Sequence, residues 1–133
     1  MRPFLAAFFS VTALAAAFSP VFASETRVLP ANRASEIGLF YTSSHADCSS
    51  GAKPKFHVTH EPAHGTVTSV WKGFRMGKEG GTCTGKPAHG TLVVYKPNPG
   101  YHGSDKVSFV LSETEGNDYF VAPKEYVINI DVK

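Results

Sequence analysis

The pentapeptide PAHGT occurs twice, at Pro62–Thr66 and at Pro87–Thr91, and each copy carries a histidine. The sequence of 133 residues contains six histidines in all. Imidazole nitrogens are good ligands for Zn, Cu and Ni. If the two copies lie at equivalent ends of neighbouring strands, His64 and His89 converge there. One hypothesis is therefore a metal site formed by His60, His64, His89 and His102.

The same pentapeptide is also suited to turning the chain. Proline fixes φ at about −65°, and glycine adopts positive φ without steric cost. Both copies precede β-rich runs, TVTSV and TLVVY, so each copy can introduce a strand from a tight turn. This alternative predicts structural turn residues at Pro87 and Gly90, with each histidine ring packed on its turn.

A second candidate metal site lies in the stretch ETEGND, between two predicted strands. Hard cations such as calcium or a trivalent lanthanide bind several oxygen ligands at once. Clusters of Gly, Asn and Asp are equally typical of plain hairpin turns, and this alternative stays open. The oxygen ligands of the hypothetical site are Glu113, Glu115, Asn117 and Asp118.

The sequence carries little that indicates catalysis or nucleic-acid binding. It contains no nucleophile elbow, no H-E-x-x-H motif and no paired carboxylates. We therefore expect a protein that is not an enzyme, whose one indicated cofactor is a divalent or trivalent metal ion. The formal net charge is +2 and the basic residues are scattered singly, whereas a nucleic-acid interface needs them clustered.

The N-terminal segment has the parts of a secretory signal. Arg2 supplies a positive charge, Phe4–Phe18 form an apolar run, and Val21–Ala23 provide a cleavage site. The apolar run is shorter than the roughly 20 residues that span a bilayer. We predict a signal peptide over residues 1–23 and one domain over residues 24–133. That domain is expected to be periplasmic or secreted, without a membrane span after cleavage.

The two cysteines, Cys48 and Cys83, are predicted to form a disulfide. An exported protein meets oxidising conditions, in which thiol pairs become disulfides. Their separation is also unlike the C-x-x-C spacing of redox and metal sites.

Short runs of β-forming residues, separated by Gly, Pro, Asn and Ser, predict an all-β domain. In the last run Tyr126, Ile128, Ile130 and Val132 fall on one face and Val127, Asn129 and Asp131 on the other, as expected of a strand with one face on a core. Gly73–Gly85 is predicted to be a long flexible connection, and Tyr119–Val121 a further short strand. The number of strands predicts an antiparallel β-sandwich. The main strands are expected at Thr26–Leu29, Ile37–Thr42, Lys55–His60, Thr66–Trp71, Thr91–Lys96, Lys106–Ser112 and Tyr126–Val132.

The stretch Lys86–Ser112 resembles the repeat unit of bacterial Ig-like and cadherin-like extracellular domains. The resemblance implies an Ig-like β-sandwich of about seven strands, and a family aspartate at Asp105. We expect Asp105 to cap the turn over Pro97–Ser104 by accepting backbone N–H bonds. Val107 departs from the family's aromatic at that position, and the unit is not repeated in tandem. The matching residues are Pro87, His89, Gly90, Tyr95, Pro97, Tyr101, Gly103, Asp105 and Phe109, with Val127–Ile130 near the end.

These observations together favour an exported binding module that is not catalytic. The partner is expected to be a protein of the cell envelope, bound by an exposed sheet edge or by Gly73–Gly85. The alternative is a periplasmic metal-binding protein or metal chaperone that uses the histidines or the acidic hairpin. A homodimer that shares a cation is compatible with the same pattern.

Overall fold

The computed structural model describes residues 25–112 and 124–133. The predicted signal peptide and the predicted strand Tyr119–Val121 lie outside the described residues, as do the candidate ligands Glu113, Glu115, Asn117 and Asp118. The described chain forms seven strands and one short 3₁₀ helix, Lys78–Cys83. The strands are β1 (Glu25–Leu29), β2 (Ser35–Phe40), β3 (Lys55–His60), β4 (Gly65–Arg75), β5 (Pro87–Pro97), β6 (Gly103–Ser112) and β7 (Lys124–Val132).

The strands form two sheets, with the orders β1-β7-β6-β3 and β2-β5-β4. The strands β7-β6-β3 correspond to the G-F-C sheet of an immunoglobulin sandwich, and β2-β5-β4 correspond to its B-E-D strands. The first strand, β1, pairs with the edge of the G-F-C sheet. The predicted Ig-like all-β sandwich of about seven strands is therefore confirmed. One pair departs from the antiparallel prediction, because β1 runs parallel to β7. Within the described ranges, no helix is long and apolar enough to cross a membrane.

The main core lies between the sheets and is built by the predicted alternation. Val93 and Tyr95 of β5 face Val107 and Phe109 of β6, and all four are fully buried. Burying such a side chain stabilises the fold by roughly 1.5–3 kcal/mol. The last strand contributes Ile128, Ile130 and Val132, as its period of two predicts.

A second, smaller core surrounds the disulfide. Cys48 and Cys83 are bonded, with their Cα atoms 5.4 Å apart, which confirms the predicted pair. Cys83 is buried with Met76 and Ala88. The predicted long flexible connection over Gly73–Gly85 is wrong for this reason. Its first residues belong to β4 and most of the remainder forms the 3₁₀ helix, which the disulfide holds against the sheet.

The second PAHGT copy is not a turn, so the turn roles predicted for Pro87 and Gly90 are wrong. Both residues lie inside β5, where Pro87 pairs with Arg75 and Gly90 pairs with Lys72. Gly90 does not have positive φ. Its smallness matters instead, because a Cβ atom there would lie 3.0 Å from a Leu39 methyl carbon and 3.1 Å from a backbone oxygen.

Candidate functional site

The two PAHGT histidines lie at opposite ends of the β4–β5 hairpin. Gly65 pairs with Pro97 at one end, and Gly73 pairs with His89 near the other. A span of eight residues along β5 is about 27 Å. The predicted convergence of His64 and His89 is therefore wrong, because antiparallel neighbours begin at opposite ends of their sheet.

Each of these histidines packs on an aromatic ring instead. The His64 ring stacks on Tyr101, with ring centroids 4.0 Å apart and planes 7° from parallel. The His89 ring stacks on Trp71 with centroids 5.8 Å apart. His60 lies in β3 opposite Ser108, and His102 precedes β6. In residues 25–112 and 124–133, no three His, Cys, Asp or Glu side chains are grouped to hold a metal ion.

Asp105 is the acceptor that shapes the first PAHGT copy. Its two carboxylate oxygens accept bonds from the backbone N–H groups of Ala63, at 2.9 Å, and His64, at 3.0 Å. The Tyr95 hydroxyl donates a third bond of 2.7 Å, and the N–H of Lys106 a fourth of 2.9 Å. Asp105 thus accepts backbone N–H bonds as expected, but the predicted turn was wrong. It caps the turn before β4 rather than the loop over Pro97–Ser104.

This cluster has the electrostatics of a structural cap. Burial alone would raise the pKa of the Asp105 carboxyl, but the bonds from Tyr95 and the three N–H groups outweigh it and hold the pKa below its ordinary value. Burial, followed by the hydrogen bond and negative charge of Asp105, raises the pKa of the Tyr95 phenol. Both groups therefore keep their ordinary charge states at neutral pH. The arrangement fixes the turn and offers no acid or base poised for catalysis.

Among the described strands, β4 is a long edge strand that pairs with β5 alone. It pairs with β5 over all eleven residues without a register shift, and it is the outermost strand on one side of its sheet. The other edge strands are shorter, and both β2 and β3 contain an irregularity in their register. Bulges, short length, proline and charged side chains are the usual protections of an exposed edge, and of these β4 has only the exposed Lys72 and Arg75 near its C-terminal end. Val70 at its centre is 50% exposed.

Trp71, also on β4, stands between two openings in the sandwich. One has a volume of about 460 Å³ and includes Phe56 and Thr91 in its lining. The other has a volume of about 240 Å³ and includes Phe40 and Tyr126. Both are lined by Trp71 and Pro54. The sequence did not reveal these openings, because their walls come from segments that only the pairing of strands brings together.

Comparison with known proteins adds little to this description. No protein-family model matches the chain, and no curated protein matches its sequence. Among solved structures, the solution structure of amebosin is similar to this chain with a TM-score of 0.48 and 9% sequence identity. The alignment covers 81% of this chain and 88% of that one.

Proposed function

We propose that this protein is an exported binding module, without catalytic activity, that takes up an extended segment of a partner protein as an additional strand on β4. The observation that carries the proposal is the outer edge of β4, which is long and regular and pairs with no further described strand. Strand addition uses the backbone N–H and C=O groups of such an edge for affinity and alternate side chains for specificity.

The side chains of β4 indicate the kind of segment that fits. Thr66, Thr68 and Val70 alternate on the face away from the core and are exposed. This uncharged, β-branched row suits a segment that is itself rich in β-branched residues. Export is supported by the disulfide, which persists in oxidising compartments, and by the signal pattern in the sequence. We place the partner in the periplasm or cell envelope on those grounds.

Site-specific crosslinking in the native host tests whether β4 is the contact. A photoreactive benzoylphenylalanine is introduced in place of Val70, and the control carries it in place of Val127. Val127 is 37% exposed but lies on β7, an inner strand of the other sheet. We expect a discrete protein adduct from position 70 and none from position 127. Adducts of equal yield from both positions contradict the proposal, and an adduct with a second copy of this chain replaces it with a homodimer.

A proline scan then tests whether the backbone makes the contact. The N–H groups of alternate residues in an edge strand face its partner strand and the open side in turn. Proline is therefore placed singly at Thr68, Ser69 and Val70. Where the N–H group of the replaced residue points away from β5, proline is expected to leave the melting temperature unchanged and to abolish binding of the crosslinked partner segment. Full binding by every folded proline variant would exclude strand addition.

A further inference from the structure

The larger opening beside Trp71 lies between the edges of β3 and β4. Phe56 comes from β3, and Ser69 and Trp71 from β4. Its volume of about 460 Å³ lies in the range of small-molecule sites, roughly 300–1,000 Å³. The two sheets therefore leave a cleft of ligand size where their edges separate.

Thr91 in the lining of this cleft carries an unusual polar atom. It lies on β5, the central strand of its sheet, and faces the same side as the core residues Val93 and Tyr95. The residue is only 3% exposed, and its hydroxyl has no hydrogen-bond partner within the described ranges. A buried hydroxyl without a partner is unfavourable. The hydroxyl itself is closed to solvent, so a ligand with an acceptor atom in the cleft would satisfy it after rotation of the Thr91 side chain toward the cleft.

The remaining walls indicate an aromatic ligand. Trp71 and Phe56 contribute ring surfaces, and Pro54 adds an apolar one. The indole is held in place by its stack on His89. Aromatic surfaces favour planar rings, which pack on them by offset stacking or edge contacts.

The charged residues in the described lining of the cleft are both lysines. Lys53 and Lys55 are exposed, and within residues 25–112 and 124–133 no acidic residue lines the cleft. Ammonium groups at the edge of an apolar cleft favour a ligand with a carboxylate or sulfonate that remains near solvent. The cleft thus combines a hydrogen-bond donor, aromatic walls and a cationic rim.

From this combination we infer that the cleft binds a small planar aromatic anion. Its rings lie against Trp71 and Phe56, its anionic group meets Lys53 and Lys55, and an acceptor on the rings takes the hydrogen bond of Thr91. The cleft adjoins the outer edge of β4 and includes Ser69 and Trp71 of that strand, but its proposed contacts are side chains, whereas strand addition uses the backbone groups of the edge.

The test uses 6-hydroxy-2-naphthoate, which combines an anion, two fused rings and a distal hydroxyl. Two comparison probes each lack one feature: 2-naphthoate has no hydroxyl, and 2-naphthol has no carboxylate. Trp71 is the single tryptophan of the chain, so its indole N–H gives one resolved resonance in a ¹H–¹⁵N spectrum. We expect saturable shifts of that resonance, with 6-hydroxy-2-naphthoate binding at least tenfold more tightly than either comparison probe.

Two variants assign the contacts. The double variant Lys53→Gln with Lys55→Gln is expected to bind the two carboxylate probes, 6-hydroxy-2-naphthoate and 2-naphthoate, at least tenfold more weakly. Its affinity for 2-naphthol is expected to stay unchanged. Thr91→Val, which keeps the side-chain shape, is expected to reduce the affinity of 6-hydroxy-2-naphthoate to that of 2-naphthoate. An indole resonance that does not move at millimolar probe overturns the inference, as do affinities that these variants leave unchanged. Val70→Lys is the control for the other surface and is expected to bind all three probes as the unmodified protein does.

Discussion

Asp105 accepts bonds from three backbone N–H groups and one phenol, so many contacts depend on one carboxylate. Asn keeps the shape of the side chain but removes the charge and one acceptor oxygen. We expect Asp105→Asn to lower the free energy of unfolding by about 2–3 kcal/mol at pH 7, as for hydrogen bonds to charged groups. Urea denaturation measures this loss. The control is Asp131→Asn, which removes only a surface ion pair with Lys133 and should cost under about 1 kcal/mol.

The same carboxylate predicts how stability changes in acid. Its folded pKa lies below the ordinary value, since hydrogen bonds outweigh the opposing effect of burial. Below about pH 4 the unfolded chain therefore binds a proton that the folded protein does not. The stabilisation from Asp105 is complete above the unfolded pKa and is lost as pH falls through the folded pKa. Denaturation between pH 7 and pH 2 should show a shallower acid loss for Asp105→Asn, and equal slopes would contradict this assignment.

Thr91 gives a prediction of the opposite sign, because its buried hydroxyl has no partner in the described structure. An unsatisfied buried polar group costs about 1–3 kcal/mol. Thr91→Val replaces that hydroxyl with a methyl group of similar shape. We expect the free energy of unfolding to rise by about 1 kcal/mol, measured by urea denaturation without ligand. Thr68→Val, at an exposed position on β4, is the control and should change stability by less than about 0.5 kcal/mol. A less stable Thr91→Val protein would show that the hydroxyl is satisfied.

At the scale of the element, β4 contains two glycines that differ in the space around them. A Cβ atom at Gly65 would lie 2.6 Å from both the Lys96 carbonyl oxygen and a Tyr95 ring carbon, whereas at Gly73 its nearest neighbour is a His89 nitrogen at 3.5 Å. We expect Gly65→Ala to lower the free energy of unfolding by about 1–3 kcal/mol through overpacking. Gly73→Ala is the matched control and should be neutral or stabilising by under about 1 kcal/mol. Equal melting temperatures for the two variants would contradict the close approach at Gly65.

The strands were predictable because alternation along each chain segment reports burial directly, as in β7. The sequence did not predict how these segments pair with one another. At the first PAHGT copy the chain turns at Ala63 and His64, whose N–H groups Asp105 accepts, before β4 begins at Gly65. The same five residues form part of a strand at the second copy, where Gly90 pairs with Lys72. Local sequence is identical at the two copies, so the distant partner decides between the two structures.

The candidate sites, too, were predictable from the sequence only in part. Free sheet edges follow from any open sandwich, and the sequence already favoured one as a binding surface. Which strand forms a long regular edge depends on register, and the irregularity between Val58 and His60 in β3 leaves no mark in the sequence. The cleft was also hidden, because Thr91 reads as an ordinary strand residue until Trp71 is found opposite it.

At the scale of the whole molecule, the disulfide joins the β2–β3 connection to the 3₁₀ helix after β4. The bond closes a loop of 35 residues, which on the chain-entropy estimate stabilises the fold by about 3–4 kcal/mol. We expect Cys48→Ala with Cys83→Ala to lose that amount, measured by urea denaturation. When dithiothreitol reduces the disulfide of the unmodified protein, its free energy of unfolding should approach that of the double variant. Dithiothreitol should not change the stability of the variant itself. An unchanged free energy of unfolding in the double variant would contradict this structural role.

The disulfide should also control the cleft, because the chain from Cys48 leads directly to residues that line it. Ser50 accepts a 3.1 Å hydrogen bond from the His89 backbone, and Lys53, Pro54 and Phe56 follow. Without the bond this segment loses one fixed end, while the main core between the sheets keeps its contacts. We therefore expect the folded double cysteine variant to bind 6-hydroxy-2-naphthoate at least threefold more weakly, measured by the Trp71 indole resonance below the denaturation midpoint. Equal affinity would mean that the hydrogen bond of Ser50 and the pairing of β3 with β6 suffice to shape the cleft.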